Sequence, residues 1–312
     1  MSVQAVEATA NATVANLGVG FDVLGMALME PYDIVRAERR AVEGVHIAAI
    51  TGDGGKLSRD PSRNTAGIAA AHVLQQIGAS EGVALTLHKG LPLASGLGSS
   101  AASAVAAAVA VNALFGQPLD RPALLAACLE GEAVVSGRHA DNVAPSLFGG
   151  ITLVMGTTAE SIHSLPVPPD LYLALATPAI PVPTAQARAV LPKQVPLKAM
   201  VHQTAQVALV VHALHTGDVA LLGAAMERDS VVEPARAHLM RGLAEVRAAA
   251  RAVGALGTVI SGAGPTLCSI CDSAAVAERV AAAMQTVYAE LNVPAAIRVT
   301  QPAVHGATWR AL

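Results

Sequence analysis

The chain has 312 residues, 53% of them hydrophobic and 14% charged, and carries a net charge of −3 at pH 7. That length can bury a sizeable core, as one large domain or two modest ones. No basic run is present and only 2% of residues are aromatic, which excludes the charged footprint and the stacking platforms that nucleic-acid binding requires.

The N-terminal Met-Ser-Val-Gln-Ala-Val-Glu has neither a basic nor an apolar leader region, so no signal peptide is expected. Residues 3–9 alternate apolar and polar like a strand. They lead into Asn16-Leu-Gly-Val-Gly-Phe-Asp22, a glycine-rich turn with two polar side chains six apart. Residues 32–37 read as a second strand, 65–77 as a helix and 83–87 as a short apolar strand. A glycine loop at 92–98 opens into a helix from about 99 to 115.

Residues 91–119 carry no charge for 29 positions, long enough to span a bilayer. The stretch opens with Pro92, Gly96 and Gly98, however, and continues mostly as alanine with Ser99, Ser100, Ser103 and Asn112. A buried helix packed tightly on a sheet is the reading, and no membrane partner is expected. A second helix starts after Asp120, an N-cap followed by Pro122, and runs to about 135. Residues 150–154 read as a strand.

The proline-rich segment 161–169 is the expected domain boundary, dividing the chain into residues 1–160 and 161–312. Beyond it come a strand at 171–176 and helices near 198–215, 219–228 and 239–253. A glycine-rich strand region at 258–271, a helix at 274–291 and a strand at 296–300 complete the chain. Strands and helices alternate in both halves, which points to an α+β fold. Cys268 and Cys271 form one Cys-x-x-Cys inside an apolar run, with no second pair to complete a zinc site. With Cys128 they read as core thiols of a reduced, cytoplasmic compartment. His202, His212 and His215 read as surface or partly buried residues, and the charges of 227–241 mostly as a solvated helix face, Arg236 excepted.

The most informative stretch is Pro92-Leu93-Ala94-Ser95-Gly96-Leu97-Gly98-Ser99-Ser100-Ala101-Ala102. Glycines let backbone approach a ligand, and the first helical N–H groups lack internal partners and sit at the positive end of the dipole. Phosphate suits such a site. A plain turn before an alanine-rich helix fits the loop equally well when it is taken alone. The dinucleotide reading of Gly96-x-Gly98-x-x-Ala101 fails on context. Lys89 to Ser95 separates the glycines from the strand, and Asp120 starts a helix instead of ending a second strand. No Gly-Lys-Ser/Thr is present for a Walker loop.

This loop resembles the second signature of the GHMP kinases, small-molecule phosphotransferases. Ala15-Asn16-Leu-Gly-Val-Gly-Phe-Asp22-Val-Leu-Gly25 resembles the first signature, and Ile260-Ser-Gly-Ala-Gly-Pro-Thr266 the third. All three occur in order across nearly the whole chain. His139-Ala-Asp141-Asn142-Val-Ala-Pro, Thr184-Ala-Gln-Ala-Arg188 and Glu233-Pro-Ala-Arg236 are similar to the branch acting on L-homoserine, and not to the sugar or mevalonate branches.

The resemblance implies a two-domain α+β GHMP kinase fold, with a ribosomal-protein-S5-like N-terminal half and a ferredoxin-like C-terminal half. It implies ATP-dependent phosphorylation of L-homoserine to O-phospho-L-homoserine, a step toward threonine, with Mg²⁺ as cofactor and a homodimer as a common assembly. Another small alcohol is the alternative substrate, and a non-catalytic nucleotide-binding regulator is the other reading.

By the same resemblance, Arg188 and Arg236 would clamp the substrate carboxylate, as bidentate Arg suits it. Asn16 and Asp22 would take the ammonium, with His139, Asn142, Thr184 and Gly262 as further contacts. Ser100 and a glutamate would hold Mg²⁺ through hard oxygens. Glu132 is preferred over Glu130; the two lie about 200° apart on a helix, so only one faces the nucleotide. Asp141 is either a proton acceptor or a residue that orients Asn142 or caps a turn, and Asn142 is placed with it at the reacting groups. Asn64 and Lys89 are either nucleotide contacts or solvated polar residues.

Overall fold

The computed structural model describes residues 3–135 and 137–312. Its first sheet draws on β1 (Ala5–Ala15), β2 (Leu24–Arg40), β3 (Val45–Thr51), β4 (Gly82–His88), β5 (Ile151–Val154) and β6 (Ile162–Leu165). The helices of this half are α1 (Thr65–Gln76), α2 (Ser99–Leu114), α3 (Arg121–Ala133) and α4 (Ala140–Phe148). The second half contributes β7 (Tyr172–Pro178), α5 (Thr184–Ala189), α6 (Leu197–Thr216), α7 (Val219–Met226), α8 (Val232–Arg236) and α9 (Leu243–Ala252). It closes with β8 (Gly257–Ile260), β9 (Leu267–Cys271), α10 (Ala274–Glu290), β10 (Ala295–Thr300) and β11 (Thr308–Ala311).

The first sheet runs β11-β1-β2-β4-β3, with β5 added to β2 and β6 to β5. β3 lies parallel to β4 and the other pairings are antiparallel. The second sheet, β10-β7-β9-β8, is antiparallel throughout. Residues 161–169 therefore include a strand, β6, that belongs to the first sheet. β11 likewise returns the C-terminus to β1, where Thr308 faces Thr9. Together the two sheets and their helices give the α+β architecture.

Local chemistry sets the helices that carry the site. The Asp120 carboxylate accepts from Ala123 N at 2.9 Å and caps α3, as its sequence position requires. α2 is Ala-, Ser- and Val-rich on every face and buried along nearly its whole length. Small side chains let it pack closely against its neighbours on the sheet and the adjoining helices. Gly131 of α3 shows the same closeness, since a Cβ there would lie 2.6 Å from Thr65 O. Among the described residues, no helix is long and apolar enough to cross a membrane.

One local expectation is sharpened and another corrected. The glycine-rich region at 258–271 is two strands, β8 and β9, joined by a turn carrying the third signature. Of the charges of 227–241, Arg228 and Arg241 are exposed, but the acids Glu227, Asp229 and Glu233 are not a solvated face. Asp229 accepts from Val231 N, Val232 N and Glu233 N at 2.8–3.0 Å. Glu227 and Glu233 both grip Arg247, at 3.0 and 2.7 Å. These acids fix α8, and with it the position of Arg236, because short helices need side-chain partners for their free backbone groups.

Candidate active site

The loop at 92–98 ends on Gly98, whose φ of 68° lies in the region glycine alone adopts freely. A Cβ there would sit 2.1 Å from Thr13 Oγ1 and 2.7 Å from Asn142 Oδ1. The loop backbone is braced from the second half: Ser261 Oγ donates to Gly96 O and Thr266 Oγ1 to Ser95 O, both at 2.7 Å. Among the described residues no protein group accepts from the N–H of Ser99, Ser100 or Ala101.

Ala94, Ser95, Gly96, Gly98, Ser99 and Ser100 line a cavity of about 400 Å³, beside Leu93. Leu97, Ala101 and Ala102 point instead into the core, and Pro92 lies outside the cavity wall, its carbonyl taken by Ser95 Oγ at 2.8 Å. Unpartnered amides at the positive end of a helix form a ready anion site.

Asn64 and Lys89 also line the cavity, and neither is a solvated surface residue. Asn64 is 5% exposed; its Oδ1 caps α1 at Ala66 N and its Nδ2 donates to Ser58 O. The Lys89 ammonium forms a buried ion pair with Asp33 and donates to Ser99 O at 2.8 Å and Ser103 Oγ at 2.7 Å. Burial lowers its pKa, against the pull of Asp33. Asp33 in turn accepts from Gly90 N and Leu91 N, so the pair ties β2 to both ends of the loop.

Ser100 Oγ donates to Glu132 Oε1 at 2.9 Å. Glu132 is buried and on the cavity wall, whereas Glu130 pairs with Arg138 at 2.5 Å on the surface. The cavity therefore receives Glu132 and leaves Glu130 outside. Asp141 and Asn142, in the first turn of α4, also face the cavity. Burial, reinforced by Asp22, pushes the Asp141 carboxyl up to about 7. The orientation of Asn142 comes from Thr13, whose hydroxyl donates to Asn142 Oδ1 at 2.6 Å.

On the facing wall, Arg188 donates to both oxygens of Asp22, at 3.1 and 2.8 Å. Its Nε is buried without a partner. Asn16 Oδ1 accepts from Asp22 N at 3.1 Å while Asn16 Nδ2 donates to Gly262 O at 3.0 Å. Arg236 is 3% exposed and donates to Ala187 O and Gly262 O, each at 3.0 Å. Among the described residues it has no carboxylate within ion-pairing distance. A buried guanidinium held only by carbonyls favours an anionic guest.

Both guanidinium carbons lie over the Phe21 ring, at 5.4 Å for Arg188 and 5.1 Å for Arg236. His139 Nδ1 stands 3.5 Å from Asp22 Oδ2; burial lowers its pKa, against the pull of Asp22. Thr184, the first residue of α5, completes this wall.

Sequence reasoning did not single out Thr13, Asp33, Phe21 or Arg63, which also lines the cavity. Asp33 had a signal, a carboxylate inside an apolar strand. Phe21 lay within the first signature without a role. Thr13 and Arg63 had none.

Comparison with known proteins agrees with this geometry. The model of the GHMP kinase N-terminal domain matches residues 64–150, and that of the GHMP kinase C-terminal domain matches residues 210–290. The chain is 41% identical over 294 residues to a protein of Chlorobium phaeobacteroides (strain BS1) named homoserine kinase, covering 91% of this chain and 92% of that one. It is 45% identical over 274 residues to one of Arabidopsis thaliana with the same name, covering 86% and 74%. A crystal structure of homoserine kinase from Cytophaga hutchinsonii superposes with a TM-score of 0.94 at 39% identity, covering 98% of both chains. Mevalonate kinase of L. major, at 20% identity and a TM-score of 0.73, shares the fold. The chain belongs to the GHMP kinase family, among its homoserine kinases.

Proposed function

We propose that the chain transfers the γ-phosphoryl group of ATP to the side-chain hydroxyl of L-homoserine, yielding O-phospho-L-homoserine and ADP. The observation that carries this reading is a single cavity with two kinds of wall. One offers unpartnered helix amides; the other pairs Asp22 and Asn16 with Arg188 and Arg236. Phosphoryl transfer is mostly positioning and charge neutralisation, and these walls hold a triphosphate and an amino-acid zwitterion side by side.

A zwitterion supplies both charges that Asp22 and Arg188 now give each other. Its ammonium takes over the Asp22 carboxylate and its carboxylate the guanidinium, so the half-buried pair opens without leaving either charge alone. Arg236 adds a second guanidinium, and both lie over the Phe21 ring. Asp141, with a pKa near neutrality, accepts the hydroxyl proton as the oxygen attacks. Asn142 donates from its side-chain amide to the reacting oxygens.

Ser100 and Glu132 are hard oxygen donors meeting at the start of α2, and that donor set fits Mg²⁺. When bound, the ion supplies charge neutralisation to the phosphates.

A coupled ADP-release assay across alcohols tests the proposal. Turnover on L-homoserine, with mevalonate and shikimate poor or inert, is expected. Preference for another alcohol would refute the substrate, and ATP binding without turnover on any alcohol would mark a regulator.

A further inference from the structure

Thr13 lies in β1, directly after a shift in the register between β1 and β2 at Asn11/Thr13. Such irregularities re-aim the side chain that follows them. Here the side chain is fully buried and its hydroxyl donates to Asn142 Oδ1 at 2.6 Å. We propose that Thr13 is a positioning residue for phosphoryl transfer, fixing the Asn142 carboxamide with its two N–H donors toward the reacting groups. The proposal rests on the reading of the site as a phosphotransferase acting on L-homoserine.

A carboxamide has nearly the same shape either way round, yet one end donates and the other accepts. Phosphoryl oxygens need the donating end; the flipped amide would present an oxygen to an anion. Among the described residues the Thr13 hydroxyl has no other hydrogen-bond partner, and the Asn142 side chain has none besides Thr13. After a flip the hydroxyl would accept from the amide N–H, and its own buried O–H would be left without an acceptor among the described residues, a cost that favours the orientation seen.

Two further contacts tie this pair to the phosphate loop. Thr13 N donates to Leu97 O at 3.0 Å. The side chains of Thr13 and Asn142 both pack against the open side of Gly98, where no Cβ fits. Loop, strand and α4 are thus held in one register, with the amide between the nucleotide wall and the zwitterion wall.

The test compares wild type with Thr13→Val, which keeps the shape and loses the hydroxyl, and Thr13→Ser, which keeps the hydroxyl. In Thr13→Val, kcat should fall about tenfold or more with both KM values within about twofold, and Thr13→Ser should restore most of kcat. Thr13→Ala serves the same comparison if Val is not accommodated. In an Asn142→Ala background, Thr13→Val should cost little further, since both changes remove one device.

An unchanged kcat in Thr13→Val, a Thr13→Ser as slow as Thr13→Val, or a full additional loss in the Asn142→Ala background would overturn the proposal. A wild type active on L-homoserine alongside an insensitive Thr13→Val would overturn it alone. A wild type inactive on L-homoserine would overturn the substrate reading and this inference together.

Discussion

Arg236 shows how a single residue type commits a site to one kind of ligand. Its guanidinium is buried, touches two carbonyls and an aromatic face, and faces no carboxylate of its own chain within ion-pairing distance among the described residues. On the proposed reading a substrate carboxylate supplies the missing anion. Arg236→Ala should raise the KM for L-homoserine about a hundredfold, as loss of a charge-assisted pair implies, and leave the KM for ATP nearly unchanged. Equal losses for both substrates would contradict the assignment.

The two glutamates of α3 separate in the same way. Glu132→Gln should lower kcat about a hundredfold and raise the Mg²⁺ concentration needed. Glu130→Gln, on the surface with Arg138, should behave like wild type; the reverse result would exchange their roles.

Asp141 makes a pH prediction whose sign is fixed. Its carboxyl is raised from 3.8 to about 7 in the folded chain, so between those values the native state holds a proton that the unfolded state has lost. Stability therefore falls as pH rises through that window. Asp141→Asn should raise Tm at pH 8 and not at pH 4; equal effects at both would refute the shift. In activity, the acidic limb of the wild-type kcat/KM profile should lie near pH 7.

At the scale of elements, the start of α2 depends on a device buried beneath it. Lys89 and Asp33 lose most of their hydration, with side chains 2% and 1% exposed, and are tolerable only together. Lys89→Met should destabilise the chain by about 3–5 kcal/mol in urea unfolding, and adding Asp33→Asn should recover much of it. A loss below 1 kcal/mol would mean that the pair is not buried as described.

The helices that frame this device were legible in the sequence for local reasons. The Asp120 cap, Pro122 and the uncharged alanine run placed α2 and α3 within two residues. α4 was not legible, because Pro145 lies inside it and proline normally signals a break. β3, β6 and β11 were missed because pairing, not local pattern, makes them strands; Thr308 finds Thr9 at the opposite end of the chain. The site divides similarly. Signature residues could be named from the sequence, whereas the Arg188–Asp22 pair, the Phe21 stack and the Thr13 hydroxyl depend on contacts made only in the fold.

For the whole molecule, the central feature is the meeting of the two halves at the phosphate loop. The turn between β8 and β9 brings Ser261, Gly262 and Thr266 against Gly96, Asn16 and Ser95. A Cβ on Gly96 would lie 2.3 Å from Ser261 O, so no side chain fits between the halves there. The third signature acts as a wedge that sets the loop at its working distance from Arg236, whose guanidinium shares the Gly262 carbonyl with Asn16. On the proposed reading, nucleotide and amino acid would thereby meet in one cavity.

The most direct measurement is a crystal structure with L-homoserine and a non-hydrolysable ATP analogue. The triphosphate should lie on the N–H groups of Ser99, Ser100 and Ala101, with the substrate carboxylate on Arg188 and Arg236 and its hydroxyl beside Asn142. A nucleotide bound elsewhere, or a substrate whose carboxylate avoids both arginines, would contradict the account.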